Sequence, residues 1–103
     1  MNIEFTWDEE KARKNFQKHG ISFETAQEIF YDPYLITQEN HFVDYEQRYV
    51  AVGRTEQQQL LVVVFLDYST EEQTHFHFIT ARKAEDYEQR AYADQFQKRH
   101  QDQ

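Results

Sequence analysis

Three side chains in the sequence have the chemistry of proton transfer and phosphate binding: His19, Arg48 and Arg82. Histidine suits proton transfer because its unperturbed pKa is about 6.5. Arginine suits phosphate because its planar guanidinium matches two oxygens at once. His19 directly follows the most basic stretch of the chain, so a phosphate and an acid/base group could coincide there. We therefore take His19 as the leading candidate for proton transfer and the two arginines as candidates for binding phosphate.

Each of these residues also has a structural interpretation, and the residues alone leave both open. His19 could cap carbonyls at the end of a helix, where a cation is favoured. Arg48 could pair with Glu46, or both could face one cleft with Glu46 as a base. Arg82 could form a solvated ion pair with an acid that follows it. Those acids are Glu85, Asp86 and Glu88.

Charge and composition limit the class of protein. The chain has 103 residues, the size of one domain, and we expect a single domain over 1–103. Nineteen acids against eleven lysines and arginines give a net charge of −8, which excludes a globally basic nucleic-acid binder. Any phosphate site must therefore be a local patch. Cysteine is absent, which excludes a disulfide framework and a Cys-ligated zinc site.

No signal-peptide pattern is found at the N-terminus, and the longest apolar run, from Leu60 to Leu66, is too short to span a membrane. We therefore expect a cytoplasmic protein.

The first part of the chain predicts a short strand and two helices that position His19. Apolar and polar residues alternate from Ile3 to Trp7, which is typical of a strand with one buried face. A helix is predicted from the N-cap Asp8 to about His19, ending at Gly20. A second helix is predicted from the cap Ser22 to the Asp32-Pro33 pair.

The remainder predicts an antiparallel meander and a last helix. The segment from Tyr34 to Thr37 is a candidate strand, and Gln38 to Gln47 is predicted as a loop. Short connections join three further strands, the second of which is apolar throughout and is expected in mid-sheet. These strands are Arg48 to Arg54, Leu60 to Leu66, and Thr74 to Arg82. A helix is predicted from about Lys83, with Lys98 to Gln103 frayed.

These elements predict an α+β fold, with two N-terminal helices and a C-terminal helix packed on one face of a small antiparallel sheet. In that order, Arg82 ends the last strand and Lys83 opens the last helix, whose N-terminus would offer an anion site.

Several short motifs occur at a spacing that is characteristic of one family. They are Phe5-x-Trp7-Asp8, Lys18-His19-Gly20-Ile21-Ser22-Phe23-Glu24, Phe30-x-Asp32-Pro33, Glu46-x-Arg48 and Ala81-Arg82-Lys83-Ala84. Together they span about positions 3 to 92. The sequence resembles the BrnT family, the toxins of a bacterial type II toxin–antitoxin system. It departs from the family pattern at His77, where Arg is usual, and at Thr80, where Ser is usual.

The resemblance implies a RelE-like ribonuclease that cleaves cellular RNA and slows translation, with no cofactor and no membrane association. The implied partner is a BrnA-like ribbon-helix-helix antitoxin, which would alone contact operator DNA. Two toxins and two antitoxins would form a heterotetramer.

RNA can be cut without a metal, because its 2′-hydroxyl attacks the adjacent phosphorus once a base removes the proton. An acid must protonate the leaving 5′-oxygen, and cations must stabilise the phosphoryl oxygens. Besides the three leading residues, the candidates for binding RNA are Lys11, Lys18, Lys83 and His77. Lys11 and Lys18 share one helix face, which could equally be a plain solvated face. At low pH, His77 could replace the charge of the usual Arg.

Two other interpretations remain at this level. A catalytically weak family member could survive as a binding module for its antitoxin, which the acidity and the histidine at position 77 favour. His75 and His77 point to the same side of a strand and could hold zinc, but no third ligand is evident. A pair of partly exposed histidines is the simpler interpretation.

Overall fold

The computed structural model describes the backbone of residues 2–101 and the side chains of residues 2–97. It has three α-helices, one 3₁₀ helix and five strands in this described part. In chain order they are β1 (Ile3–Thr6), α1 (Glu9–His19), α2 (Phe23–Ala26), the 3₁₀ helix (Gln27–Tyr31), β2 (Ile36–Val43), β3 (Glu46–Arg54), β4 (Leu60–Asp67), β5 (Thr74–Lys83) and α3 (Asp86–Gln101). The predicted α+β class is confirmed.

The five strands form one mixed sheet in the order β1-β5-β4-β3-β2. The apolar strand β4 lies in the middle, as its composition predicts. The strands from β2 to β5 pair antiparallel, but β1 pairs parallel with β5, with Thr6 opposite His77. The prediction of a purely antiparallel sheet is therefore wrong. Short connections predict antiparallel pairing only between successive strands. Most of the chain lies between β1 and its partner β5, so the connections do not determine how these two strands pair.

The segment predicted as a loop, Gln38 to Gln47, is mostly strand. β2 continues to Val43, and a tight turn at Asp44 and Tyr45, both with positive φ, leads into β3 at Glu46. Two successive residues with positive φ match the twist of a hairpin. The sequence does not predict this strand because β2 is a largely exposed edge strand. It carries polar residues on both faces, so it lacks the alternation of apolar and polar residues that indicates a strand.

The first predicted helix is confirmed, from its Asp8 cap, which accepts from the Lys11 N–H at 3.0 Å, to Gly20 with φ 72°. The second is not one regular helix, since α2 spans four residues and continues as the 3₁₀ helix. Apolar residues in this segment lie three apart, at Phe23, Ala26 and Ile29, and a helix with three residues per turn aligns them on one side.

Helices cover both faces of the sheet, so the prediction that they share one face is wrong. The first face packs against α1, α2 and the 3₁₀ helix through a core that includes Phe23, Leu61 and Phe78. On the second face, Tyr92 of α3 packs against Val52 and Val62. Strand residues alternate between the faces, and valines at these positions make the second face apolar enough to bind a helix.

Helix α3 begins at Asp86, so Lys83 is the last residue of β5 and does not open the helix. The predicted fraying of Lys98 to Gln103 falls on side chains outside the described residues. In the described part of the chain, no helix is long and apolar enough to cross a membrane.

Candidate active site

Among the described residues, α3 packs on the second face around Val52 and Val62. A row of polar side chains crosses the other half of that face. Arg48 of β3 pairs with Leu66 of β4, Leu66 pairs with His77 of β5, and His77 pairs with Thr6 of β1. Two steps between strands of roughly 4.8 Å place the Cα atoms of Arg48 and His77 about 10 Å apart. We call this region the open half of the second face. Its further members are Glu4, Glu46, Tyr68 and His75.

Arg48 is a partly buried cation that has no anionic partner in the described part of the chain. Its Nε is buried without a hydrogen bond, and none of the ion pairs among the described residues involves it. The pair with Glu46, one of the two interpretations that the sequence left open, is not among the ion pairs of the described residues. The Glu46 carboxylate instead accepts a hydrogen bond from the Tyr68 hydroxyl at 3.0 Å. A buried polar group without a partner is unusual in a native fold and suits a site that receives an anionic ligand.

His77 is held by two neighbours in the open half. Its Nδ1 lies 2.8 Å from Thr6 Oγ1, and its ring stacks on Tyr68 with 5.6 Å between the ring centroids. Burial lowers the pKa of His77, and the electrostatic effects of His75 and Lys11 lower it further against the opposing effect of Asp8 and Glu46. The imidazole is therefore neutral near pH 7. It does not replace the charge of an arginine there, but it can accept a proton.

His75 contacts the same hydroxyl, with its Nε2 2.7 Å from Thr6 Oγ1. Its other ring nitrogen, Nδ1, lies 3.7 Å from a carboxylate oxygen of Glu4. Among the described residues, no group of three or more histidines and carboxylates has the geometry of a metal site. The two strand histidines thus meet a threonine and not a zinc ligand set.

Arg82 lies on the same face as Arg48, beside the start of α3, but its charge is paired. Its two terminal nitrogens each donate to Glu88 at 2.8 Å, which raises the pKa of Arg82 and lowers that of Glu88. Glu88 also accepts the backbone N–H of Glu85 at 2.8 Å. A carboxylate of the chain itself therefore occupies the predicted anion site at the helix start. Lys83 is exposed at the end of β5.

His19 is separated from this surface. It ends α1, which packs on the first face: Asn15 bonds both backbone groups of Ala81, at 2.9 and 3.1 Å. Lys18 shares the same end of that helix, whereas Lys11 near its start is close enough to act on His77. The structure thus brings together three of the predicted residues, leaves Arg82 paired nearby, and places three elsewhere. The grouped residues are Arg48, His77 and Lys11, and the separated ones are His19, Lys18 and Lys83.

Sequence reasoning missed Thr6 and Tyr68. Thr6 ends a short strand whose partner lies about seventy residues away, so no local signal points to its histidine neighbours. Tyr68 follows β4 in a turn. Its position two residues after Leu66 is the one signal that predicts the same face of the sheet.

The mixed sheet and the surface that carries Arg48 and His77 define a small α+β domain with one candidate site on its second face. In fold, the chain is similar to the crystal structure of the Brucella abortus ribonuclease toxin BrnT. The TM-score is 0.62, at 22% sequence identity over 82% of this chain and 99% of that one.

The family model described as "Ribonuclease toxin, BrnT, of type II toxin-antitoxin system" matches residues 7–88, which include Arg48 and His77. The chain belongs to that family, and the resemblance predicted from its motifs is confirmed. Membership in a family of type II toxins implies a cognate antitoxin. No curated protein matches the chain.

Proposed function

We propose that this chain is a RelE-like, metal-independent endoribonuclease that acts in the cytoplasm, cleaves RNA on the open half of the second face and thereby slows translation. The observation that carries the proposal is the unpaired Arg48 in one row with the neutral His77. A spacing of about 10 Å between their Cα atoms leaves room for one phosphodiester between the two side chains.

In the proposed reaction His77 Nε2 removes the proton of a 2′-hydroxyl, and the resulting oxygen attacks the adjacent phosphorus. The bond to the 5′-oxygen breaks, and a solvent molecule protonates that leaving group. Arg48 binds the phosphoryl oxygens as charge develops on them, and Lys11 adds positive potential from α1. The products are a 2′,3′-cyclic phosphate and a 5′-hydroxyl, so no metal and no water nucleophile is needed.

The same proposal includes neutralisation by a ribbon-helix-helix antitoxin in a heterotetramer with two copies of each chain, which contacts operator DNA through the antitoxin. Two features support it. The family is one of type II toxins, and the open half presents its cation and imidazoles without cover from α3, so a partner can block them.

A second candidate is a binding module that retains the antitoxin but cleaves poorly. It is favoured by His77 in place of the usual arginine and by the neutralisation of Arg82 by Glu88. Under this alternative, the open half binds its partner and has little activity of its own.

The test is cleavage of a defined RNA by the purified chain with excess chelator present. We expect cleavage to persist and the products to carry cyclic phosphates. His77→Gln should reduce the rate by about 10²- to 10⁴-fold, the usual contribution of a general base. The matched control is His41→Gln, since His41 is an exposed histidine of β2.

His19→Gln completes the comparison and should behave like the His41 control. Full activity of a folded His77→Gln variant would contradict the proposed site. A folded wild-type chain that neither cleaves RNA nor arrests growth would favour the binding module.

A further inference from the structure

One hydroxyl lies between two histidines in the open half. Thr6 Oγ1 is 2.7 Å from His75 Nε2 and 2.8 Å from His77 Nδ1. A hydroxyl has a single proton, so it can donate to one of these nitrogens and must accept from the other. The proton positions of the two imidazoles are therefore linked through Thr6.

Glu4 sets the direction of this chain of hydrogen bonds. Its carboxylate lies 3.7 Å from His75 Nδ1 and favours a proton on that nitrogen. In the neutral ring, His75 Nε2 is then the acceptor, and the Thr6 hydroxyl donates a hydrogen bond to it. Thr6 Oγ1 in turn accepts from His77 Nδ1–H, which leaves His77 Nε2 with a free lone pair.

The parallel pairing of β1 with β5 makes this arrangement. Glu4 lies opposite His75 and Thr6 lies opposite His77, and alternate residues of each strand share a face. All four side chains therefore line the second face in sequence. The arrangement has the order of a carboxylate, an imidazole, a hydroxyl and a second imidazole, with the stacked Tyr68 ring against the last.

We propose that Glu4, His75 and Thr6 are positioning residues that hold His77 in the tautomer with Nδ1 protonated and Nε2 free to act as the base. The catalytic consequence rests on the function proposed above, but the tautomer itself does not. A base needs the lone pair on the nitrogen that faces substrate, and a second group that binds the other nitrogen provides it.

Charged groups from other elements also act on His77. Lys11 lies in α1, Asp8 caps that helix, and Glu46 lies in β3.

The test is ¹⁵N NMR of the ring nitrogens in the full-length chain at a pH where both histidines are neutral. We expect His77 Nδ1 to show the shift of a protonated nitrogen and Nε2 that of an unprotonated one. Thr6→Val, which keeps the shape but removes the hydroxyl, should lose this preference. Thr6→Ser should retain it, and His41 should be the same in all three proteins.

Activity supplies a second readout. Thr6→Val should lower kcat about 10- to 100-fold, as for other residues that orient a functional histidine, while KM changes little because the phosphate ligand Arg48 is intact. Thr6→Ser should restore the rate.

The two proposals fail in different ways. A protonated Nε2 on His77 in the wild-type chain overturns the positioning role whether or not RNA is cleaved, and it needs no variant to fold. If the expected tautomer is found but the chain cleaves no RNA, the positioning role stands and the proposed function fails. Equal kcat in Thr6→Val and Thr6→Ser would also overturn the positioning role.

Discussion

Each half of the second sheet face carries one arginine, and the two arginines differ in whether a carboxylate pairs with them. In the half covered by α3, Arg82 is bound by both oxygens of Glu88. In the open half, Arg48 is partly buried and has no carboxylate partner among the described residues. Removing one partner of a charge pair beneath a helix destabilises the fold, whereas an unpaired charge keeps its field available to a ligand. Burial and pairing, more than residue type, separate the structural arginine from the candidate functional one.

The covered half is further tied to the rest of the molecule by Tyr92. Its side chain is 2% exposed, and its hydroxyl donates to Asp32 at 2.7 Å. Burial and the carboxylate raise the pKa of Tyr92 to about 12. Asp32 also accepts backbone N–H groups from Tyr34 and Arg54, at 2.9 and 2.8 Å. The C-terminal helix, the segment just before β2 and the end of β3 are thus joined at one carboxylate.

The largest expected effect is a loss of stability when the packing of the covered half is disrupted. Tyr92→Ala removes a buried ring and leaves Asp32 without one of its donors, so the free energy of unfolding should fall by about 3–5 kcal/mol. Tyr45→Ala is the control, because Tyr45 is 95% exposed in the β2–β3 turn and should change stability little. Urea unfolding followed by circular dichroism measures both. Equal losses would show that α3 contributes little to the core.

Next in size is the loss of the unpaired cation. Arg48→Gln should reduce RNA cleavage about 10²- to 10³-fold, the usual cost of removing one group that stabilises developing charge. Its melting temperature should stay the same or rise, because an unsatisfied buried group is removed. Arg82→Gln is the matched variant and should act mainly on stability. The reverse pattern would exchange the roles of the two arginines.

A smaller effect concerns the ion pair of the covered half. Arg82 lowers the pKa of Glu88, so the ionised carboxylate stabilises the folded state. That contribution is complete above the unfolded-state pKa, near 4.5, and is lost as the pH falls through the lower pKa of the folded protein. Glu88→Gln should therefore cost about 1.5–3 kcal/mol at pH 7 and progressively less below pH 4.5. A pH-independent difference in urea unfolding would contradict the assignment.

The smallest effect sharpens the view of the open half. Tyr68→Phe removes the hydrogen bond to Glu46 but keeps the ring that stacks on His77. Since both residues are exposed, stability should fall by only about 0.5 kcal/mol. A double-mutant cycle with Glu46→Gln measures the coupling. A coupling as large as that between Arg82 and Glu88 would show that the open half is also a structural element.

Local signals predicted the parts of the fold in which the neighbours along the chain decide the conformation. The Asp8 cap and Gly20 bound α1, and the apolar run of β4 takes the middle of the sheet. The sequence patterns were weaker guides where solvent exposure or pairing with a distant strand determines the conformation. The edge strand β2 resembles a loop in composition, and the parallel partner of β1 lies at the other end of the sequence. The same holds for the candidate site: Arg48 and His77 were predicted from the sequence, whereas Thr6 and Tyr68 were not.

The sequence by itself determined the residue types, the family motifs and the face-sharing of His75 and His77, because these depend on neighbours and on the two-residue period of a strand. Only the tertiary structure decided which cations are paired and which side chains meet. It separated His19 from Arg48 by placing α1 on the first face, and it brought Thr6 between two histidines. Strand order and register are set by contacts between residues far apart in the chain, and no local pattern records them.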